Sequence, residues 1–168
     1  MNKIISLISL VTVIFLSACD PYNTDALLGT GTTTTTTPTP THTSYTELEG
    51  AAGAANDTIA SAESLGVTLA PGDTVTVSGN MTTSGTDYFS FNTGTAVVID
   101  VNVTWTTAMD IDNYIEDAAA ILAGSSVGSA TSENLTWLVD TASSTRYIAL
   151  RNFSATVTGA YTMVITAY

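Results

Sequence analysis

The sequence has little of the chemistry on which most enzymes depend. It contains one histidine, His42, and one cysteine, Cys19, among 168 residues. His42 lies in a segment rich in threonine, so neither a Ser-His-Asp triad nor a histidine-based zinc site can be assembled in the rest of the chain. Carboxylates are plentiful, but their spacing selects no pair for glycosidase chemistry. We therefore expect a protein that is not an enzyme.

Basic side chains are equally scarce. The chain has 3 Lys and Arg against 15 Asp and Glu, which gives a formal net charge of -12 at pH 7. Nucleic acids and anionic lipid surfaces are bound through Lys and Arg, so we expect neither as a partner. The excess of carboxylates leaves two interpretations open, which are solubility through mutual repulsion and the binding of a cation.

The N-terminus lacks the apolar run of ~20 residues that a membrane-spanning helix needs. A shorter apolar run, Ile4 to Leu16, follows the positively charged Lys3. The small residues Ser17 and Ala18 come after it and precede Cys19. A positive start, a short apolar run and small residues are typical of an export signal. We therefore expect a signal peptide over residues 1–18.

The last part of this signal, Leu16-Ser17-Ala18-Cys19, resembles the lipobox of bacterial lipoproteins. The resemblance implies cleavage before Cys19 and lipidation of its thiol, which would anchor the chain to a membrane of the bacterial cell envelope, facing the periplasm or the exterior. An ordinary secretory signal with an incidental cysteine is the alternative. Asp20 resembles the residue that retains enterobacterial lipoproteins in the inner membrane, but other phyla sort differently, so the choice of membrane stays open.

The residues after Cys19 have the composition of a tether. Six consecutive threonines, Thr32 to Thr37, precede Pro38-Thr39-Pro40-Thr41. Such residues favour extended, solvated backbone and cannot form a core. We expect residues 19–46 to be the lipidated N-terminus and a flexible linker, and residues 47–168 to be the folded domain. A glycosylated stalk is the alternative to a plain spacer.

From Glu47 to Tyr168 the hydrophobic period is two. Between Val97 and Trp105, for example, apolar side chains alternate with polar ones, as in a half-buried antiparallel strand. The same alternation recurs near residues 75–78, 88–91, 134–139, 145–152 and 160–167, with turn-forming residues between. We predict an all-β fold, an antiparallel and jelly-roll-like β-sandwich of about eight strands. A short helix is expected only from Thr58 to Leu65, with Asp57 or Thr58 as its N-cap.

Several pieces of the globular part occur in the order of a known family. They are Glu49 with Asn56-Asp57-Thr58, Val77-Ser78-Gly79, Asp87-Tyr88-Phe89-Ser90-Phe91, Asp110 to Asp117, Tyr147 to Asn152 and Gly159 to Ile165. Together they resemble the bacterial pre-peptidase C-terminal domain, and the segment that begins at Asp87 is the most specific match. The resemblance implies an exported β-sandwich that takes part in binding and that calcium stabilises in some members.

The resemblance also implies a calcium site. Carried over residue by residue, it nominates Glu49, Asn56, Asp57 and Asp87, whose side-chain oxygens are ligands that Ca²⁺ accepts. The chain departs from the family pattern in the longer spacing between Glu49 and Asn56. It departs again at Ser84-Gly85-Thr86, which stands where a second acidic ligand is expected. Solvated acidic loops without a metal are the alternative.

The acidic run from Asp110 to Asp117 does not fit an EF-hand loop. After Asp110 and Asp112, that loop would need an oxygen ligand at Tyr114 and a turn glycine at Ile115. We expect Asp110 and Asp112 to shape a turn and Tyr114 to enter the next strand. A second, looser cation site at the two aspartates is the alternative.

Four aromatic residues decide between two functions. Tyr114, Trp137, Tyr147 and Tyr161 either pack in the core or form a ligand platform. Exposed rings on one sheet face favour a membrane-anchored binding module for a carbohydrate, peptide or protein, with or without calcium. Buried rings favour a structural or accessory surface protein with no dedicated ligand. We expect the binding module.

Overall fold

A computed structural model describes residues 39–48, 55–106, 108–127 and 131–168 of the chain. Within these residues ten strands and one short 3-10 helix, Ile59–Ser61, follow one another. The strands are β1 (His42–Thr46), β2 (Glu63–Thr68), β3 (Thr74–Met81), β4 (Thr86–Asn92), β5 (Val98–Trp105), β6 (Ile111–Glu116), β7 (Leu122–Ser126), β8 (Ser132–Leu138), β9 (Thr145–Asn152) and β10 (Gly159–Ala167).

The strands form two five-stranded sheets. Sheet A has the order β1-β3-β10-β5-β8, and sheet B has the order β2-β4-β9-β6-β7. Most neighbours are antiparallel, but the edge strands β1 and β2 run parallel to β3 and β4. The predicted all-β sandwich is therefore confirmed. Its strands number ten in the described residues instead of about eight, and two of its strand pairs are parallel.

The alternation along each strand builds one core between the two sheets. In β5 the side chains of Ile99, Val101 and Val103 are fully buried, while those between them point outward. Sheet B contributes large buried side chains to the same core, among them Phe89, Ile111, Ile115, Ile148 and Leu150. Burying each such side chain contributes about 1.5–3 kcal/mol, so these two apolar faces are what holds the sheets together.

The sandwich begins earlier than the sequence analysis predicted. The linker was expected to continue to Thr46, but His42–Thr46 form β1, which pairs with β3 over five residues. Tyr45 packs against the core and donates a hydrogen bond to Glu63 of the opposite sheet at 2.8 Å. Burial and this hydrogen bond raise the pKa of Tyr45 to about 12. His42 thus belongs to the domain and lies exposed on its edge strand.

The helix predicted from Thr58 to Leu65 is much shorter than expected. Thr58 is the N-cap, and its side chain accepts a hydrogen bond from the Ser61 amide. The chain leaves the helix after Ser61 and enters β2, where Leu65 is buried in the core. The need to bury Leu65 from a strand therefore overrides the helix propensity of Ala60 and Ala62 before it.

Candidate functional site

The outer face of sheet B brings aromatic and charged side chains together. In the strand register, Ala149 of β9 lies between Tyr88 of β4 and Tyr114 of β6. One pair of residues further along β9, Tyr147 lies beside Glu116. We call the following set the tyrosine face: Tyr88, Asp112, Tyr114, Glu116, Tyr147 and Arg151.

Arg151 joins the members of the tyrosine face. Its Nη2 donates hydrogen bonds to Glu116 Oε1 and, at 3.3 Å, to the Tyr88 hydroxyl, which itself donates to Glu116 Oε2 at 3.4 Å. Its guanidinium lies 4.4 Å from the centre of the Tyr114 ring. Burial lowers the pKa of Arg151, but the hydrogen bond with Tyr88 and the charge of Glu116 outweigh it and leave that pKa raised. Arg151 is therefore a fixed cation stacked on an aromatic ring.

The carboxylates of this face are buried although they point outward from the sheet. Glu116 is 3% exposed and Asp112 is 8% exposed. Tyr114 donates a hydrogen bond to Asp112 Oδ2 at 3.0 Å. Burial and this hydrogen bond raise the pKa of Tyr114 above its ordinary value of 10.0. The neighbouring side chains thus hold each polar group in one position.

Tyr147 is the least constrained aromatic residue of the face. It is half-buried, and its hydroxyl has no hydrogen-bond partner among the described residues. Its cross-strand neighbours are Glu116 on one side and Ser90 on the other. One ring at the centre of the sheet is therefore accessible, with hydrogen-bonding groups on both sides of it.

Beside Tyr147 the face opens into a notch of about 150 Å³. Ser64 of β2 pairs with Ser90 of β4, and Thr68 pairs with Asn92, so β2 carries two more residues than β4 between these pairs. Gly66 lies in this bulge with a φ of 64°, a conformation that glycine adopts without strain. The bulge separates the two strands, and hydroxyl and amide groups line the gap. We call this gap the β2 notch; its polar lining is Ser64, Ser90, Asn92 and Thr145.

The structure divides the four aromatic residues that the sequence analysis grouped as a platform. Tyr114 and Tyr147 lie half-buried on the outer face of sheet B. Trp137 and Tyr161 are 6% and 3% exposed and belong to the core on the sheet A side, so their assignment to a platform was wrong. Both occupy inward positions of alternating strands, which is a signal that the sequence already carries.

Three residues of the face, Tyr88, Glu116 and Arg151, were missed as site residues. Tyr88 precedes the buried Phe89, so the period of two places it on the opposite, outward side. Arg151 is one of only two arginines in the described residues. Its pairing with Glu116 joins β9 to β6, and no local pattern in the sequence predicts such a contact.

The predicted calcium ligands are also divided. Asn56 and Asp87 are 0% and 2% exposed at one end of the core, whereas Asp57 is exposed to solvent. Glu49, like Cys19, lies outside the described residues. Glu47, which was not predicted, takes a place beside Asn56, with 3.4 Å between Glu47 Oε1 and Asn56 Nδ2.

We call Glu47, Asn56, Asp87 and Tyr161 the buried acidic cluster. The second oxygen of Glu47 accepts a hydrogen bond from the Asn80 amide at 2.9 Å. Burial raises the pKa of Tyr161 well above its usual value, and the charges of Asp87 and Glu47 raise it further. A Cβ at Gly79 would overlap both the Glu47 carboxylate and the Tyr161 hydroxyl, so any other residue there would have to displace them.

The cluster fits a hard cation in part. Asn56 Oδ1 is buried and has no hydrogen-bond partner within the described ranges. Together with the two carboxylates it offers the oxygen ligands that Ca²⁺ prefers, although Ca²⁺ takes six to eight of them. No group of three His, Cys, Asp or Glu side chains suited to a metal occurs in the part of the chain that is described. Backbone carbonyls, water or Glu49 would have to complete the coordination.

Asp110 and Asp112 do not form a turn together. Asp110 precedes β6, where its carbonyl accepts a hydrogen bond from the Phe153 amide at 2.8 Å. Asp112 lies inside β6 and is held by Tyr114. The predicted turn is therefore wrong at Asp112, because the strand begins at Ile111, whose buried side chain fixes the register.

Comparisons with known proteins identify the fold. No protein-family model matches the sequence, and no curated protein matches it. The pre-peptidase C-terminal domain of a collagenase from Bacillus anthracis matches in structure with 14% identity and a TM-score of 0.50, over 62% of this chain and 94% of that one. PliG, a periplasmic inhibitor of g-type lysozyme from Aeromonas hydrophila, matches with 9% identity and a TM-score of 0.43, over 77% of this chain and all of that one.

The first of these matches defines the class of the fold. The described domain is a β-sandwich like that of the pre-peptidase C-terminal domain, in agreement with the resemblance noted in the sequence. At this level of identity the likeness concerns the fold and carries no ligand with it. None of the helices that the structure describes is long and apolar enough to cross a membrane.

Proposed function

We propose that this protein is a noncatalytic protein of the bacterial envelope whose sandwich binds a partner through the tyrosine face. The observation that carries the proposal is the arrangement of Arg151, which is stacked on Tyr114 and hydrogen-bonded to Glu116 and Tyr88. Tyrosine and arginine are enriched among the few residues that supply most of the binding energy in protein–protein interfaces. Binding also benefits when the side chains are already held in place, because less conformational entropy is lost.

The alternative, a surface protein with no dedicated ligand, accounts less well for this arrangement. A buried ion pair contributes little to stability, since apolar side chains of similar volume serve as well or better. The buried Glu116 and Asp112 therefore need a reason other than folding. Recognition of a partner supplies that reason, because it requires polar groups in defined positions.

The proposed location rests on the sequence motif Leu16-Ser17-Ala18-Cys19. Two or more acyl chains at Cys19 would give stable attachment, since each buried methylene adds about 0.8 kcal/mol. Growth of the expressing bacterium with an alkyne analogue of palmitate tests the attachment. We expect the label on the wild-type protein and not on the Cys19→Ser variant. Equal labelling of both proteins would exclude Cys19 as the lipidation site.

Binding is tested with the full-length protein against three probes. These are a glycan array, purified peptidoglycan sacculi and blotted envelope proteins. The double variant Tyr114→Ala/Tyr147→Ala removes both half-exposed rings of the tyrosine face, and Thr136→Ala/Thr162→Ala is its control on the outer face of sheet A. We expect binding to at least one probe that only the first variant abolishes. Absence of binding to all three probes, or an equal loss of binding in both variants, would favour the alternative of a surface protein with no dedicated ligand.

We also propose calcium as a stabilising ligand of the buried acidic cluster. The unpartnered Asn56 Oδ1 beside the buried Glu47 and Asp87 supports it. When bound, Ca²⁺ would compensate the charge of two buried carboxylates. A ligand of the native state raises stability by RT ln(1 + [L]/Kd), or about 2.7 kcal/mol at a concentration of 100 Kd.

Thermal unfolding with 1 mM Ca²⁺ and with chelator tests this role, with an expected rise in the midpoint that Asp87→Asn removes. The control is Asp100→Asn on the outer face of sheet A, which should keep the response to calcium. An identical midpoint with and without calcium in the wild-type protein would remove calcium from the proposal. It would leave the tyrosine face unaffected.

A further inference from the structure

The tyrosine face and the β2 notch are adjacent parts of one surface. The strand register aligns Ser64, Ser90, Tyr147 and Glu116 in a row across β2, β4, β9 and β6. Neighbouring strands are about 4.8 Å apart, so the row runs roughly 14 Å from the notch to Glu116. The half-buried Tyr147 ring lies inside this row, with the polar notch on one side and the ion pair of Arg151 with the buried Glu116 on the other.

The charges of this surface exclude most charged ligands. Arg151 and Glu116 pair with each other, so neither charge is free to attract an ion of opposite sign. The described residues carry twelve Asp and Glu side chains against two Arg, a field that repels anionic polymers. A cationic group that approaches Glu116 or Asp112 would be repelled by Arg151, which pairs with Glu116 and lies opposite Asp112 in the register. The surface is thus suited to a ligand that is polar but uncharged.

The size of the notch restricts the ligand further. Sites that enclose a whole small molecule have volumes of about 300–1,000 Å³, whereas the notch has about 150 Å³. Only one unit of a larger ligand can therefore enter it. Tyr147 is the cross-strand neighbour of the notch residue Ser90, so its ring is within reach of the next unit. Hydroxyl and amide groups of Ser64, Asn92 and Thr145 line the notch, and these groups exchange hydrogen bonds with hydroxyls.

We propose that the tyrosine face and the β2 notch together bind a neutral oligosaccharide, with one sugar unit in the notch and the next stacked on the Tyr147 ring. The ring accepts the apolar face of a sugar, while the hydroxyls at the sugar's edge reach polar groups on either side. This inference rests on the proposed binding function and names its ligand class. It assigns Tyr147 and Ser64 as ligand-binding residues.

The experiment measures the affinity of the full-length protein for oligosaccharides. An array that carries neutral glucans, mannans, galactans and chitin fragments beside uronic-acid and sulfated glycans identifies the ligand, and calorimetry gives its Kd. We expect binding to a neutral glycan and none to the anionic ones. Tyr147→Ala should raise the Kd at least tenfold, while Tyr147→Phe should keep it within about threefold because the ring remains.

A second pair of variants tests the notch. Ser64→Leu fills it and should raise the Kd at least tenfold, whereas Thr136→Leu, also at an exposed strand position, makes the same kind of change on sheet A and should have no effect. Circular dichroism and thermal unfolding establish that each variant is folded before its affinity is compared. Unchanged affinity in Tyr147→Ala or in Ser64→Leu would overturn the assignment of that surface.

The outcomes also separate this inference from the proposed function. One outcome is that no neutral glycan binds, whereas an envelope protein binds and the Tyr114→Ala/Tyr147→Ala variant abolishes that binding. The face would then be a binding site, and the proposal of an oligosaccharide ligand would be wrong. Binding of anionic glycans alone would equally contradict a neutral ligand. If no probe of any class binds, the proposed binding function fails together with its ligand.

Discussion

The outer faces of the two sheets share one strand geometry but differ in what they display. Sheet A presents short, uncharged side chains in register across all five strands, among them Thr74, Thr76, Asn102, Thr104, Asn134, Thr136, Thr162 and Thr166. In the described residues its outward positions include two ionisable side chains, His42 and Asp100. Sheet B presents three tyrosines, an arginine and two buried carboxylates over a similar area.

This difference shows which kinds of outward side chain the fold requires and which it does not. Threonine has a high propensity for strands and is well solvated, so the outer face of sheet A shows that this sandwich can be covered almost entirely by uncharged side chains, with Asp100 as the one carboxylate among its described outward positions. The network on sheet B removes Glu116 and Asp112 from water, which costs free energy unless every partner is in place. The comparison therefore points to sheet B as the face on which a property other than stability is built.

The largest expected effect is the loss of Arg151. Arg151→Met leaves the buried Glu116 without its cation, and breaking a buried ion pair costs 3–5 kcal/mol. Because the Arg151 side chain is 35% exposed, we expect about 2–3 kcal/mol, measured as the free energy of unfolding in urea. A loss of stability below 0.5 kcal/mol would mean that the outer face of sheet B, like that of sheet A, contains no buried charge that depends on a partner.

The double variant Arg151→Met/Glu116→Leu is the matched control. Replacing both partners by apolar side chains leaves no unpaired charge, so stability should return to within about 1 kcal/mol of the wild type. The same variant should still fail to bind the ligand. A double variant as unstable as Arg151→Met would mean that the ion pair itself, and not the unpaired Glu116, determines the loss.

The second expected effect compares the centres of the two faces. Ala149 on sheet B is fully buried between Tyr88 and Tyr114 in the register, whereas Val164 at the matching position of sheet A is half-buried between Thr76 and Asn102. Ala149→Leu must displace the flanking rings and should cost about 1–2 kcal/mol. Val164→Leu should change the free energy of unfolding by less than about 0.5 kcal/mol. Equal costs would show that the tyrosine rings are not packed on Ala149.

The third expected effect is the contribution that Tyr114 of sheet B makes to the pH dependence of stability. The pKa of Tyr114 is raised in the folded state above the ordinary value of 10.0 by burial and by its hydrogen bond to Asp112. A raised pKa means that the neutral hydroxyl contributes stability that is fully present below pH 10 and is lost as the pH rises through the folded-state pKa. The contribution is below about 1 kcal/mol, because Tyr114 is only partly buried.

Urea titrations between pH 9 and pH 11 measure this effect. Tyr114→Phe has no hydroxyl to ionise, so its stability should decrease less steeply over that range than the stability of the wild type. The remaining slope comes from Tyr45 and Tyr161, whose pKa values are also raised. Identical slopes in the two proteins would show that Asp112 does not hold the Tyr114 hydroxyl.

Local periodicity was sufficient to predict most of the sandwich. Six strands were expected at nearly their observed positions, since each alternates strongly, as from Val98 to Trp105. The edge strands β1, β2 and β7 were missed because each buries few large apolar side chains, so their alternation is weak. The parallel pairing of β1 with β3 and of β2 with β4 is a long-range property that no local pattern encodes.

The candidate site was predictable only in part, for the same reason. The sequence places Tyr88, Tyr114 and Tyr147 on strands and fixes which side of each strand they occupy, but it does not say which strands become neighbours. The order β4-β9-β6 brings these rings together around Ala149. Likewise, Glu47 and not Asp57 joins Asn56 in the buried acidic cluster, because Glu47 directly follows β1 and its amide pairs with the Ser78 carbonyl of β3.

The smallest expected effect concerns the carboxylate on the outer face of sheet A. Asp100 lies between Thr166 and Thr136 in the register, and its buried Oδ1 has no hydrogen-bond partner in the described residues. A partly desolvated carboxylate in a chain of strongly negative charge is unfavourable. Asp100→Asn should therefore raise the free energy of unfolding by about 0.5 kcal/mol, and 0.5 M salt should reduce the gain by screening the remaining charges. A loss of stability in Asp100→Asn would mean that the charge of Asp100 stabilises the outer face of sheet A. The two faces would then differ only in how many charged side chains contribute to stability.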